Sequence, residues 1–319
     1  MNDSTGLHTA FARLSVAAGP VVLVADSGGH LQELWEVTKL LDQRINRHWV
    51  SSDTQMSQSL LHGEATKQLL STRIFPRRLD LALRAIPQSI QQLRTIRPQA
   101  VISTGPAIAV PWLIAARLLR IPALFVESAT FVQHRSMSGK ILALLPRCQR
   151  FSQTNLLGRG WQTAPNVFDL VSQAMPIEQR SDLVPRVFVT VGSNRYPFDR
   201  LIRRLEAVIP SDWDIVWQLS GDDAYQPQRG RVAGLIPFEE VRELIRTSAV
   251  VVSHAGVGSA LTALELGRIP IVCARSAQHG EHVDDHQSDL ASYLAPLPFV
   301  MVRDADAISV DDLRDVASR

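Results

Sequence analysis

The chain has 319 residues, 45% of them hydrophobic and 20% charged, with only two cysteines and a formal charge of +2. That length and mix suit a globular α/β protein of two domains, and the cysteine count excludes a disulfide framework or a zinc cluster. The small net charge hides a split: residues 1–160 hold 18 Lys+Arg against 9 Asp+Glu, and residues 161–319 hold 15 against 22, so only the first half is expected to face an anionic partner.

Residues 1–20 lack a basic start followed by an apolar core, so no signal peptide is expected. "PVVLVADS" then reads as a strand and "HLQELWEVTKLLDQR" as the helix after it. "QAVISTG" precedes helical "AVPWLIAARLLRI", and "PALFVES" precedes "SMSGKILALLPR". Residues 107–126 are the most apolar stretch, but two arginines and two prolines interrupt it. It reads as helix, turn and strand rather than the roughly 18 unbroken apolar residues of a membrane span. Residues 161–186 contain three prolines and weak periodicity and read as a connection. The pattern restarts with "RVFVTVGS" before "FDRLIRRLEAVI", then "DIVWQLSG", "SAVVVSHAGVGS" before "ALTALELGR", and "IPIVCARS". Apolar runs alternating with helices imply parallel sheets and βαβ units. The expected architecture is two Rossmann-like domains, 1–160 and 187–319, facing a central cleft. Ligands are expected outside the C-terminal ends of the strands.

The chemistry falls in the loops after those strands. Ser27-Gly28-Gly29-His30 joins a strand to a helix start, where free N–H groups and a positive dipole end suit a phosphate. His30 there fits a phosphate contact, a proton acceptor, or a plain solvated cap. Thr104-Gly105-Pro106 is a second turn of the same kind, and Glu127 ends a strand where active-site acids lie in this class. A cap for the following helix is the alternative for Glu127. In the second half Gly192-Ser193-Asn194 follows one strand, and His254, Gly256, Gly258 and Ser259 form a junction suited to a diphosphate. Glu265 is a carboxylate on an otherwise apolar helix, needing either a ribose diol or a local arginine as partner. "QHGEHVDDHQSDLA", residues 278–291, holds Asp285 and Gln287 among three histidines. It lacks the spacing of known metal loops, so sugar hydroxyls suit it better than a metal. No dinucleotide spacing G-x-G-x-x-G follows the first strand, which lowers an oxidoreductase reading.

Taken together, "VGS…VVSHAGVGSALTALELGRIPIVCAR…GEHVDDHQ" resembles the catalytic subunit of the two-subunit eukaryotic transferase that adds GlcNAc to dolichyl-diphosphate-GlcNAc. "VVLVADSGGHLQEL", "VISTGPAIAVP" and "VESATFVQHRSMSGKILALLPR" resemble its membrane-docking partner subunit. Both parts lie here in one chain, partner-like half first, an arrangement similar to the peptidoglycan enzyme that adds GlcNAc to a lipid-linked muramyl-pentapeptide. All are GT-B inverting glycosyltransferases, and similar chains serve bacterial exopolysaccharide assembly. The resemblance implies a UDP-sugar donor held by Gly192, Ser193, Asn194, His254 and the 256–259 loop. Glu265 would meet the ribose, and Gln287 with Asp285 nearby the donor sugar. Ser27, Gly28, Gly29, Thr104 and Gly105 would face a lipid-diphosphate-linked sugar acceptor, with His30 or Glu127 taking its proton. It implies no cofactor and no catalytic metal.

The partner subunit carries an N-terminal membrane anchor that residues 1–20 do not form, so peripheral attachment to the inner face of the cell membrane is expected. Arginines and lysines among apolar residues of the first half, including Arg84, Arg94, Arg117, Arg120, Lys140 and Arg147, suit an anionic membrane surface. An aromatic content of 6% with no stacking motif argues against nucleic acid. Two other classes fit the same shape: a UDP-sugar epimerase, which needs no lipid acceptor, and a non-catalytic scaffold subunit. GlcNAc, glucuronate, galactose and glucose all remain open as the donor sugar, with Arg195 and Arg275 as candidate partners of a uronate.

Overall fold

A computed structural model describes residues 5–70, 79–156, 158–173, 185–192, 196–219, 225–234, 236–282 and 285–319. The chain divides into two compact units, Met1–Leu170 and Val171–Arg319.

The first unit opens with α1 (Thr5–Ala12), β1 (Val21–Ala25), α2 (Gly29–Thr38), β2 (Arg47–Ser52), α3 (Gln55–Leu60) and β3 (Lys67–Leu70). It continues with α4 (Leu79–Arg84), α5 (Ile86–Ile96), β4 (Ala100–Gly105), α6 (Ala109–Leu118), β5 (Ala123–Glu127), α7 (Met137–Ala143), β6 (Cys148–Ser152) and β7 (Trp161–Thr163). Its seven strands run parallel in the order β3-β2-β1-β4-β5-β6-β7. β1 lies at the centre, with Leu23 opposite Trp49 on one side and Ile102 on the other. All of β1, β4 and β5 is buried, because helices cover both faces, and unbroken apolar runs follow from that. Val22, Val24, Val101 and Phe125 pack against Trp112 and Leu113 of α6. The strand order reverses between β1 and β4, so the crevice at their C-terminal ends is the topological switch point.

After α8 (Val167–Gln173), the second unit runs β8 (Arg186–Thr190), α9 (Asp199–Val208), β9 (Asp214–Gln218), β10 (Arg231–Ala233), α10 (Phe238–Thr247) and β11 (Val250–His254). It ends with α11 (Val257–Glu265), β12 (Pro270–Cys273), α12 (His286–Leu294), β13 (Met301–Val302) and α13 (Val310–Ser318). Six parallel strands take the order β10-β9-β8-β11-β12-β13, reversing between β8 and β11. Val250 and Val252 face one layer with Leu201 and Leu205 of α9, while Val251 faces the other with Leu244 and Ile245 of α10. That alternation follows from the two-residue period of a strand covered on both sides.

The expected fold class, α/β with two parallel sheets, is the observed one. The stretch expected as a connection, 161–186, holds regular structure. Its first three residues form β7, paired to β6 with Trp161 opposite Arg150, and α8 follows before residues 174–184, which lie outside the described residues. The division falls after Leu170 rather than near residue 160. A three-residue strand is too short to show periodicity. Its place in the sheet is set by Trp161, which meets the Phe125 ring edge-on at 6.2 Å and lies under the Arg135 guanidinium at 3.4 Å.

Candidate functional site

In the first unit the loops after β1, β4 and β5 gather at the switch point. The β1 loop is held open by its own polar groups. Asp26 N–H donates to Gly105 O at 3.1 Å, and its Oδ1 accepts from Ser27 N at 2.9 Å and from the Ser52 hydroxyl. Ser27 Oγ pairs with Thr54 Oγ1 at 2.5 Å, so Ser27 braces the loop. Gly28 caps α2 at φ +107, and a Cβ there would meet nothing within 4 Å. The glycine is therefore required by backbone conformation, not by crowding within the protein. As at any helix start, the first N–H groups of α2 have no acceptor inside the helix.

His30 sits on the first turn of α2 with its side chain 27% exposed. Its Nδ1 lies 3.0 Å from Thr104 O, and Thr104 Oγ1 donates back to His30 O at 2.7 Å. A carbonyl only accepts, so Nδ1 carries the hydrogen and the neutral ring keeps its lone pair on Nε2. Gly105, at φ +96, lies against the ring: a Cβ there would stand 3.8 Å from it. Ser103 fixes this turn, donating to Val24 O at 2.6 Å and accepting from Gly105 N at 3.0 Å. Glu127, by contrast, is 1% exposed. Its Oε2 accepts from Ser136 N at 3.3 Å and lies against Gly139, where a Cβ would collide with it. Burial raises its pKa, and the Ser136 bonds and Arg135 oppose that. The carboxyl thus anchors the start of α7.

The sequence reading passed over Glu33, one turn beyond His30 on α2. It is fully buried, and its Oε1 accepts from Ala129 N at 2.7 Å and Ser128 Oγ at 3.0 Å, just past β5. Its Oε2 lies 3.7 Å from His30 Nδ1. Burial pushes its pKa up to about 8. The signal was there: an acid three residues after His30 shares its helix face.

In the second unit Gly192 follows β8 at φ +78, while Ser193, Asn194 and Arg195 lie outside the described residues. His254 ends β11, and its ring fills the space between Gly192 and Gly256. A Cβ on either glycine would collide with it. Burial, then the charge of Arg275, holds the imidazole neutral with a pKa near 3. These two glycines are therefore needed to seat a histidine. Gly256 caps α11, whose first turn carries half-buried Gly258 and Ser259. Glu265 ends that helix, and Arg242 Nη1 reaches its Oε2 at 3.1 Å. Of the two partners expected for this acid, the structure shows the arginine.

Arg275 is wholly buried and binds the β8 loop: its Nη2 donates to Val191 O at 2.8 Å and Tyr196 O at 2.9 Å. Arg275, expected as a candidate partner of a uronate, thus lies inside the unit, with Nε and Nη2 bound to the backbone carbonyls of Pro197, Val191 and Tyr196. Gln287, 3% exposed, accepts from Arg275 N at 3.1 Å, and Asp285 accepts from Ala277 N at 2.9 Å. Gly192, His254, Arg275 and Gln287 are thus brought together at the β8/β11 switch point. Tyr196 meets the His282 ring tilted and His286 meets it edge-on, each at 4.6 Å between centroids. Among the described residues no group of three or more His, Cys, Asp or Glu side chains is placed to hold a metal ion.

Residues 21–155 match the family described as oligosaccharide biosynthesis protein Alg14 like, and residues 186–304 match the glycosyltransferase family 28 C-terminal domain. Among solved structures the chain is similar to MurG of Acinetobacter baumannii, at 17% identity over 93% of this chain and 89% of that one, with a TM-score of 0.56. It is also similar to the glycosyltransferase SnogD from Streptomyces nogalater, at 16% identity over 94% and 91%, TM-score 0.55. A third is UDP-GlcNAc 2-epimerase from Methanocaldococcus jannaschii, at 10% identity over 94% and 92%, TM-score 0.58. No curated protein matches the chain in sequence. At such identities the structural likeness is one of fold, and that fold is GT-B. The two family matches, set on it, support a glycosyltransferase related to MurG.

Proposed function

We propose that this chain is an inverting, metal-independent glycosyltransferase that moves a sugar from a UDP-sugar to a lipid-diphosphate-linked saccharide, in the assembly of exopolysaccharide or another cell-surface glycan. One observation carries the reading: an Alg14-like half and a family 28 C-terminal half lie in one chain, each with its loops gathered at a switch point. The chain then combines both parts of a two-subunit transferase. The acceptor hydroxyl attacks the donor's anomeric carbon as the bond to the diphosphate breaks, and UDP leaves with the electron pair. The hydroxyl proton passes to Nε2 of His30, whose tautomer the Thr104 carbonyl sets. His30 is favoured over Glu127 because it is the more exposed of the two. Backbone N–H groups at the start of α11 stabilise the departing diphosphate.

A peripheral membrane contact fits the same reading. Leu118 on α6, Met137 on α7 and Leu144 just after it are 64%, 60% and 85% exposed. Exposed Arg120, Lys140 and Arg147 lie close to them in the chain. Exposed apolar side chains with exposed cations nearby in the chain suit an anionic lipid surface. Among the described residues no helix is long and apolar enough to cross a membrane.

A thermal-shift titration with UDP, GDP, CDP and NAD, repeated with EDTA, tests the donor half. A ligand at 100 times its Kd adds about 2.7 kcal/mol of stability. A UDP-selective shift insensitive to EDTA is expected, and a shift with NAD alone refutes the assignment. The fold likeness to a UDP-GlcNAc 2-epimerase keeps epimerisation as the second reading. Consumption of UDP-GlcNAc without any acceptor identifies it. UDP binding with no turnover at all identifies a scaffold.

A further inference from the structure

We propose that Glu33 is the positioning residue for His30: its buried carboxyl, fixed to the end of β5, orients the imidazole and stabilises the imidazolium formed during transfer. The inference rests on His30 as the base, and deepens that reading by naming the group behind it. His30 and Glu33 lie three residues apart on α2 and so share one face. Glu33 is fixed on the far side by Ser128 Oγ and Ala129 N, both on its Oε1. Its Oε2 is buried, has no hydrogen-bond partner among the described residues, and lies 3.7 Å from His30 Nδ1. A buried carboxyl oxygen without a donor is costly unless a charge appears beside it. Proton transfer supplies that charge. When the acceptor's O–H bond breaks and its oxygen joins the anomeric carbon, the proton rests on Nε2 and the ring becomes cationic next to Oε2. Glu33 takes no proton from the acceptor.

Glu127 is the rival carboxyl, but it is committed to Ser136 N and the start of α7. The groups facing Glu33 are His30 on its own helix, Glu127 at the end of β5, which opposes its ionisation, and the Gln153 side chain after β6, which favours it. Arg135 faces Glu127 instead. With burial outweighing these, Glu33 ionises only as the pH passes about 8, and its hold on the imidazolium strengthens there.

Glu33→Gln is the test, because glutamine keeps an acceptor for Ser128 and Ala129 but cannot ionise. Above pH 8, where Glu33 is ionised, turnover is expected to fall by about tenfold or more while KM for the donor stays within about twofold. The climb in wild-type turnover above pH 8 should vanish in the variant. Ser128→Ala, which removes a bond favouring the ionised form, should move that climb to higher pH. Ring resonances of His30, followed by NMR, give a readout that needs no substrate: the imidazolium should persist to higher pH in the wild type than in Glu33→Gln. An unchanged His30 titration in Glu33→Gln overturns the proposal, as does an unchanged pH–rate profile. If the wild type transfers no sugar, the functional reading fails, while the His30 titration still decides whether the pair exists.

Discussion

Single side chains explain the glycines of this chain in two different ways. Gly28 needs its positive φ and leaves open space, as a turn that receives a ligand would. Gly192 and Gly256 make room for the His254 ring, which the sequence did not disclose because the two glycines lie 64 positions apart in the chain. His30, Thr104 and Gly105 were legible as neighbours because each follows an apolar run, and the sheet brings β1 beside β4. The spacing of Glu33 placed it on His30's helix face, but only burial shows that this polar face turns inward. Buried His254 yields a pH prediction with a definite sign. Its folded pKa, near 3, is below the ordinary 6.5, so the unfolded chain binds its proton first as the pH falls. The stability of the second unit should be complete above about pH 6.5 and decline toward pH 3. His254→Asn should flatten that part of the acid melting curve, and an acid limb identical to the wild type's would show that another group controls it.

At the scale of elements, the central strands buried on both faces were readable and the strands toward the sheet edges were not. β1, β4, β5, β8 and β11 are apolar runs that end in the loops carrying chemistry. β2 begins Arg-His, β6 carries Gln-Arg at its centre, and β7 has three residues, so none of them shows an unbroken apolar signal. α6 and α7 pack against each other and leave Leu118, Met137 and Leu144 exposed. Helices that only covered the sheet would place such residues inward. Leu144→Glu should weaken binding to anionic vesicles in a flotation assay, by about tenfold for the loss of one inserted apolar side chain and the addition of a repelled charge. The UDP-induced thermal shift should be unchanged. Vesicle binding equal to the wild type's would remove this face from the membrane contact.

For the molecule as a whole, charge and fold point the same way. The basic half is the one matched by the Alg14-like family, and the acidic half carries the family 28 C-terminal domain. The two-unit architecture was legible because the strand–helix pattern restarts in the second half. The boundary was not, since β7 and α8 continue past residue 160 and neither is long enough to show a period. The donor sugar is likewise not written in the loops: Arg275 is buried, and its Nε and Nη2 are bound to backbone carbonyls. The most direct measurement is therefore a transfer assay in EDTA, offering UDP-GlcNAc, UDP-glucuronate, UDP-galactose and UDP-glucose with lipid-diphosphate-linked saccharides to the wild type and to His30→Ala. A transferase of the proposed kind puts one of these sugars on the lipid with inverted anomeric configuration. His30→Ala should then lower that rate by about 10²–10⁴-fold while UDP still stabilises the fold. UDP-sugar consumed with nothing appearing on the lipid, or a His30→Ala chain as fast as the wild type, would contradict it.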